Sequence, residues 1–460
     1  LVLHFFFFRA LLLGPPPAAL ARARRARRGH TGREVLCMPK RALFFCALLA
    51  ACAVLFCACA SSQSASAPPA SAPQAESQGT ALVLDEIRTC TAYGPDGFYL
   101  LKSVFPNSLN ITYIDYAARQ ELFLCNRPEC LHNDDTCKSY IPLDPGTGVQ
   151  PSLYLAGNTV LLIYSGASET SLPRIEAMEL DGSNRHIVVE FEASQTLVPP
   201  YLFDTEFLYF SLTTQHEQPL SQTTEFIRVS LKDGTVESVY QFEQNINSLI
   251  AGTYENSLVA DMVYDQDNKT YRRFFTWQPN ENFAQACETN IIYEYCLTEQ
   301  GAMVENGYLY ILDFGTKSVT RKSLATGEEI TVDCSAMMPD FEKNMEPRMD
   351  FTFEDYVLIN TYRPHEQYGF VIEQFLVDFR SGKLTPIHLE NLYQHRPIYI
   401  ASEYKDELCV ICDYKTHTDT FEQDGQTYTS EYVTEQYAML KKSDYIASQP
   451  NYQLISSLGE

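Results

Sequence analysis

The densest chemistry in this sequence lies in thirteen residues, Cys125-Asn-Arg-Pro-Glu-Cys130-Leu-His132-Asn-Asp-Asp-Thr-Cys137. Three thiolates and an imidazole are the donors of a closed tetrahedral zinc site, and a loop of this length can fold back around one ion. Cys130 and His132 stand two apart, so an extended backbone aims both to the same side. Four protein ligands leave no position for an activated water, which makes such a metal structural. The residue types equally suit an oxidised loop, with one local disulfide and the third cysteine joined to Cys90 or free. His132 is incidental in that case. The spacing is not that of a Cys-x-x-Cys finger, so zinc and disulfide both stay open.

Other constellations carry less. Cys409-Val-Ile-Cys412 sits in a strand-like run, where positions three apart face opposite sides, so two buried core thiols are expected. Cys287 and Cys296 have a spacing compatible with a bridge between neighbouring strands, though nothing demands it. Asp265-Gln-Asp267-Asn268 lacks the later Gly and Glu of a calcium hand and reads as a hairpin tip. His216-Glu217 and His365-Glu366 have no second His four residues on, which excludes the helical zinc-protease motif. There is no Gly-x-Ser-x-Gly, P-loop or dinucleotide fingerprint.

A second chemically specific residue is Cys59. From Met38 the chain reads Met-Pro-Lys-Arg, then an almost wholly apolar run from Ala42 to Phe56, then Cys57-Ala58-Cys59-Ala60. A short basic segment, a short apolar run and a small-residue site make a secretory signal. The run is short for a permanent span of a ~30 Å hydrocarbon core. A cysteine after a small residue resembles the lipobox of bacterial lipoproteins, which implies a diacylglycerol on Cys59. Phe56 and Cys57 depart from the usual residues of that box. A plain membrane anchor or a cleaved signal without lipid is the competing expectation. Residues 60–79, rich in Ser, Ala, Pro and Gln, read as a flexible tether. Residues 1–37 precede a complete export signal and are expected to be an over-extended translation start.

Hydrophobic residues make up 45% of the chain and charged residues 20%, enough apolar material for a sizeable core. Nine of the 34 basic and one of the 58 acidic residues lie in 1–59, leaving 25 against 57 and a net charge of −32 on the remainder. Such a body repels nucleic acid and anionic headgroups.

The elements that position these residues are strands. From Thr80 onward period-two apolar patterns recur, as in Val160–Tyr164, Phe207–Phe210 and Tyr308–Leu312. The 29 Tyr and 27 Phe suit pleated, half-buried surfaces. Hairpin turns fall at Asp96-Gly97, Asp181-Gly182, Asp233-Gly234, Thr326-Gly327 and Ser381-Gly382. A strand–strand–turn–strand unit ends at Ile187–Phe191, Val236–Phe242, Ile330–Cys334 and Leu384–Leu389. Weaker units lie near Tyr116–Leu124, Phe275–Pro279 and Met439–Tyr445. A spacing of roughly 45–60 residues between successive units is the period of a β-propeller, in which each blade needs a neighbour to cover its apolar face. Residues 80–460 are therefore expected to form an all-β propeller of about seven four-stranded blades, with six the runner-up and two β-sandwiches the competing architecture. Ala81–Cys90 is expected to close the ring by pairing with the final blade.

On this blade rhythm and the Leu124-Cys125-x-x-x-x-Cys130-x-His132…Cys137 motif, residues 85–450 resemble uncharacterised TolB-like propeller lipoproteins of Gram-positive bacteria, carried under a domain-of-unknown-function label. TolB itself is a periplasmic docking propeller. The resemblance implies a membrane-tethered, extracytoplasmic, non-catalytic module that binds an envelope glycan, peptide or protein. The alternative expectation is a hydrolase or lyase whose site is gathered from several blades at the mouth of the central channel, which linear motifs do not reveal.

Overall fold

The computed structural model describes residues 88–458, except 106–107, 126, 143–149, 169, 218–219, 243–246, 256, 280, 336–346, 366–368 and 424–425. The upstream extension (1–37), the signal (38–59) with Cys59, and the tether (60–79) lie outside the described residues. The described chain belongs to one compact unit, Gly79–Glu460. Among the described residues no helix is long and apolar enough to cross a membrane.

Seven antiparallel sheets follow one another along the chain as the blades of a β-propeller. A short strand, β1 (Arg88–Thr89), comes first. Blade 1 holds β2 (Gly97–Phe105) and β3 (Ser108–Asp115). Two short strands, β4 (Gln120–Phe123) and β5 (Tyr140–Pro142), share the outer edge of β3. Blade 2 holds β6 (Ser152–Ala156), β7 (Thr159–Tyr164), β8 (Arg174–Glu179) and β9 (His186–Glu190). Blade 3 holds β10 (Gln195–Phe203), β11 (Phe207–Glu217), β12 (Leu220–Ser230) and β13 (Val236–Phe242). Blade 4 holds β14 (Asn247–Tyr254), β15 (Ser257–Gln266), β16 (Lys269–Trp277) and β17 (Ile291–Cys296), with helix α1 (Phe283–Thr289) before β17. Blade 5 holds β18 (Gln300–Glu305), β19 (Tyr308–Asp313), β20 (Ser318–Ser323) and β21 (Glu329–Asp333). Blade 6 holds β22 (Arg348–Phe353), β23 (Tyr356–His365), β24 (Gly369–Asp378) and β25 (Lys383–Ile387). Blade 7 holds β26 (Tyr399–Tyr404), β27 (Glu407–Gln423), β28 (Gln426–Lys441), helix α2 (Lys442–Ile446) and β29 (Gln453–Leu454).

The burial pattern explains why these residues form these strands. Second strands such as β7 are apolar without alternation and buried almost throughout, because a neighbouring blade covers each face. Outer strands such as β9 and β13 are largely exposed. The buried apolar side chains fall into seven clusters, each spanning one interface between consecutive blades. The cluster richest in aromatic residues joins blades 3 and 4, where Phe226 and Phe242 meet Phe275, Trp277 and, from α1, Phe283. Full burial of one such side chain contributes about 1.5–3 kcal/mol, so these interfaces outweigh any single hydrogen bond in holding the ring.

Four of the five turns expected from x-Gly pairs join third strands to fourth strands, with Gly182, Gly234, Gly327 and Gly382 at φ between 67° and 78°, whereas Asp96-Gly97 leads into β2. Asp267 and Asn268 both have positive φ at the β15–β16 tip, the hairpin expected there. Cys409 and Cys412 point into different interfaces, toward blades 1 and 6 respectively. Cys287 lies on α1, not on a strand, and it and Cys296 are free thiols.

One expectation is corrected. The N-terminal segment does not pair with the final blade: Arg88 and Thr89 pair with Phe203 and Leu202 of β10. Blade 7 supplies its own outer strand, because α2 turns the chain back and β29 pairs with β28. The ring closes through side chains instead. Ile114 and Tyr116 of blade 1 pack on Cys409, Ile411, Tyr437 and Met439 of blade 7. Tyr116 shares a 2.5 Å hydrogen bond with Ser402, and Arg119 reaches Glu407 at 3.2 Å. Ser456 then stitches the tail to the blade 1 edge, accepting from the Glu121 N–H and donating to the Arg119 carbonyl.

A Cβ on Gly234 would lie 2.1 Å from the Val188 carbonyl oxygen, whereas one on Gly327, at the same φ of 72°, meets nothing within 4 Å. Gly327→Ala is therefore expected to lower unfolding free energy by about 1 kcal/mol. Gly234→Ala is expected to cost about 2–3 kcal/mol, since steric conflict adds to the backbone term. Urea unfolding midpoints of the two variants check this ordering.

Candidate functional site

β4 and β5 occupy one strand position, so the chain leaves and re-enters the blade along the same edge of β3: Thr112 pairs with Phe123, and Asn110 with Tyr140. The loop ends, Cys125 and Cys137, are thereby brought together. An Asx turn shapes the return, with Asp134 Oδ1 accepting from the Thr136 N–H at 2.9 Å. His132 adopts a left-handed backbone, φ 57°, and its ring stacks on Phe123 at 3.9 Å between centroids. The i, i+2 pair Cys130 and His132 thus converges through a turn, not through the extended backbone expected.

All four expected ligands come together. Their Sγ and ring nitrogen atoms lie within 4.8 Å of one another, and this Cys3His cluster can hold a metal ion. Cys125 and Cys137 are buried, while Cys130 and His132 are half-buried. The three cysteines are free thiols, and Cys90, the expected partner of an oxidised loop, lies in the core between blades 2 and 3. His132 Nδ1 is 3.2 Å from Cys137 Sγ, and Ser139 Oγ is 3.1 Å from the same sulfur.

Arg127 is the functional side chain that sequence reasoning passed over, although it sits inside the motif. Its guanidinium donates to Cys130 Sγ at 3.2 Å and to the Thr136 carbonyl at 2.6 Å. Burial pushes the Cys125 thiol up, but hydrogen bonds from Arg127 and the neighbouring thiols outweigh it and bring it down to about 7. Burial dominates at Cys137, which is raised despite Ser139. Burial, then the Arg127 charge, holds His132 below its ordinary range, favouring the neutral imidazole that ligates metal.

A second locus lies where a propeller enzyme would gather its groups. Residues 88–93 run past the ends of β10 and β6, next to their hairpin turns, and then beside the start of β2. The Cys90 N–H donates to the Tyr201 carbonyl of β10 at 2.8 Å, and the Leu155 N–H of β6 donates to the Thr91 carbonyl at 2.5 Å. The Tyr99 N–H of β2 donates to the Ala92 carbonyl at 2.8 Å. This strap ends at Tyr93, whose hydroxyl is held above its ordinary range by burial and then by the charges of Glu305 and Glu403. Those carboxylates close β18 and β26 at the same end of the ring. Glu305 accepts from Thr352 Oγ1 at 2.9 Å, and Lys442 Nζ bridges Glu403 at 2.5 Å and Glu354 at 3.0 Å.

Fold and site together define a seven-bladed β-propeller with a Cys3His loop spliced into the outer strand of its first blade. No family model and no curated protein matches the sequence. Among solved structures it is similar to an oligogalacturonate lyase in complex with manganese, at 9% identity and TM-score 0.41, covering 77% of this chain and 89% of that one. It is also similar to TolB from Acinetobacter baumannii, at 9% identity and TM-score 0.30, covering 77% and 78%. The β-propeller domain of the Trilobed protease from Pyrococcus furiosus gives 11% identity and TM-score 0.33, covering 66% and 92%. Identities this low transfer no activity, ligand or partner.

Burial raises the Glu305 carboxyl above its ordinary value, opposed by Thr352 and reinforced by Glu403. The folded state then binds more protons, so this contribution is fully present below about pH 4.5 and is lost as pH rises through the folded value. Glu305→Gln, which cannot ionise, is expected to gain stability relative to the parent as pH rises toward neutrality, with the two converging in acid. Urea midpoints between about pH 4 and pH 7 measure the difference.

Proposed function

We propose that the chain is the precursor of a bacterial surface lipoprotein, exported by the signal at 38–59, anchored by a lipid on Cys59 and spaced from the membrane by residues 60–79. Its propeller serves as a non-catalytic binding or scaffold module for a glycan, peptide or protein of the cell envelope. Nucleic acid is no partner for a body carrying −32. The observation that carries the binding role is the strap. Residues 88–93 of the chain itself hydrogen-bond to β10, β6 and β2, at the end of the ring where a propeller hydrolase or lyase would assemble its groups. Glu305 and Glu403 at that end are held by Thr352 and Lys442.

Within this reading the Cys3His loop holds one structural zinc through Cys125, Cys130, His132 and Cys137. Three thiolates around a divalent ion leave one net negative charge, and Arg127 lies where it offsets that charge. The ion would clamp a loop that otherwise rests on a few turns.

Two measurements test the proposal. Metabolic labelling with palmitate should mark the full chain and leave Cys59→Ser unlabelled and in the soluble fraction. A broad screen with polysaccharide, ester and peptide substrates should show no turnover; activity abolished by Glu305→Gln or Glu403→Gln would overturn the binding role. For the metal, elemental analysis should return one zinc per chain, none in Cys137→Ser, and a stability loss on the order of 4 kcal/mol on chelation. A disulfide within 125–137 in peptide mapping sinks the zinc assignment.

A further inference from the structure

β27 and β28 are 17 and 16 residues long, far longer than their blade requires. β26 pairs with β27 only as far as Ile411, and β29 pairs with β28 only at Ala438 and Met439. Between those limits the two strands pair with each other from Asp413–Gln436 to Gln423–Gln426. No third strand joins them among the described residues. Eleven residues of β27 beyond Cys412 give an arm of about 35 Å. β27 starts at the Tyr404–Glu407 turn, beside Glu403 and the strap. The arm therefore projects from the end of the ring opposite the strap.

The arm is built as a strand-pairing template. Its residues 413–436 include six Thr, no Pro and a single Lys, Lys415. Edge strands are ordinarily shielded by Lys, Pro or bulges, and from Thr416 outward both of these edges lack them. The ribbon is stiffened from within: His417 stacks on Tyr432 at 5.1 Å, and its Nε2 is 2.8 Å from Thr434 Oγ1. Thr416, Thr418, Thr420, Thr427, Thr429 and Glu431 are exposed. Six acids, Asp413, Asp419, Glu422, Asp424, Glu431 and Glu435, stand against one Lys. That charge repels a second copy of the same arm, which is how an open edge stays unpaired between identical molecules. It attracts the opposite sign.

We propose that the blade 7 arm docks an extended, lysine- or arginine-rich polypeptide segment, which adds a strand along one free edge of β27 or β28. Main-chain hydrogen bonds supply the binding, and the acids select a basic strand. This rests on the binding-module reading and names the partner class of its outward face.

The test uses the full chain in detergent and a fluorescent decamer of alternating Lys and Thr, followed by anisotropy at physiological salt. Saturable one-site binding is expected. It should weaken at least tenfold when every peptide nitrogen of the decamer is methylated, and vanish for the Glu–Thr counterpart. The variant D419N/E422Q/E431Q should also lose at least tenfold. Three charges out of a net −24 would barely alter diffuse attraction, so a loss of that size locates binding on the arm. Unchanged affinity for the methylated decamer or in the triple variant overturns the proposal, as does absence of binding to the parent chain. Substrate turnover in the screen above would overturn the binding-module reading instead, independently of the peptide result.

Discussion

Burial of apolar side chains between successive blades is the constraint on which this molecule rests. No sheet here has a solvent-facing side that could be left uncovered, since strands such as β7 and β19 carry apolar residues toward both neighbours. A blade alone would expose one or two broad apolar faces, and an open row would leave two ends bare. Closing into a ring is the arrangement in which every face has a partner. Seven blades give seven interfaces, and each has its own cluster.

Because packing rather than strand exchange completes the ring, the N-terminal segment is free for another use. Many ways of closing a ring would recruit it into the last blade. Here α2 and β29 fill that edge locally, and the segment hydrogen-bonds to strands of blades 1, 2 and 3. Tying chain entry to one end of the ring distinguishes the two faces. The strap end carries tight turns and paired charges, and the other end carries the long hairpins of blades 3, 6 and 7.

The Cys3His loop illustrates how an insertion becomes a site. Splitting an outer strand into β4 and β5 costs the sheet little, since the outer edge has solvent on one side. The shared register on β3 places Cys125 near Cys137 whatever the loop does between them. What remains is to bring Cys130 and His132 back, and the Asp134 turn and the Phe123 ring do so. Lys138 to Asp181 at 2.9 Å, and Arg185 to the Tyr140 carbonyl at 2.9 Å, brace the loop's return against blade 2.

The sequence by itself determined the strands, the turn glycines, the approximate blade number and the four converging ligands. Those depend on period-two burial, on left-handed backbone at Gly182 or Gly234, and on donor types within a short span, all of which are local. It also determined that Cys409 and Cys412 would face apart, since alternation along a strand needs no partner to be known. Tertiary structure alone decided where Arg88–Tyr93 would lie, because pairing partners more than 100 residues apart leave no periodic trace in either segment. It decided the left-handed turn at His132, which only the stacking ring of Phe123 explains. It also gathered Tyr93, Glu305, Glu403 and Lys442 at one end of the channel, from four separate stretches of chain. Contacts of that kind arise from closure of the ring, and closure is a property of all seven blades together.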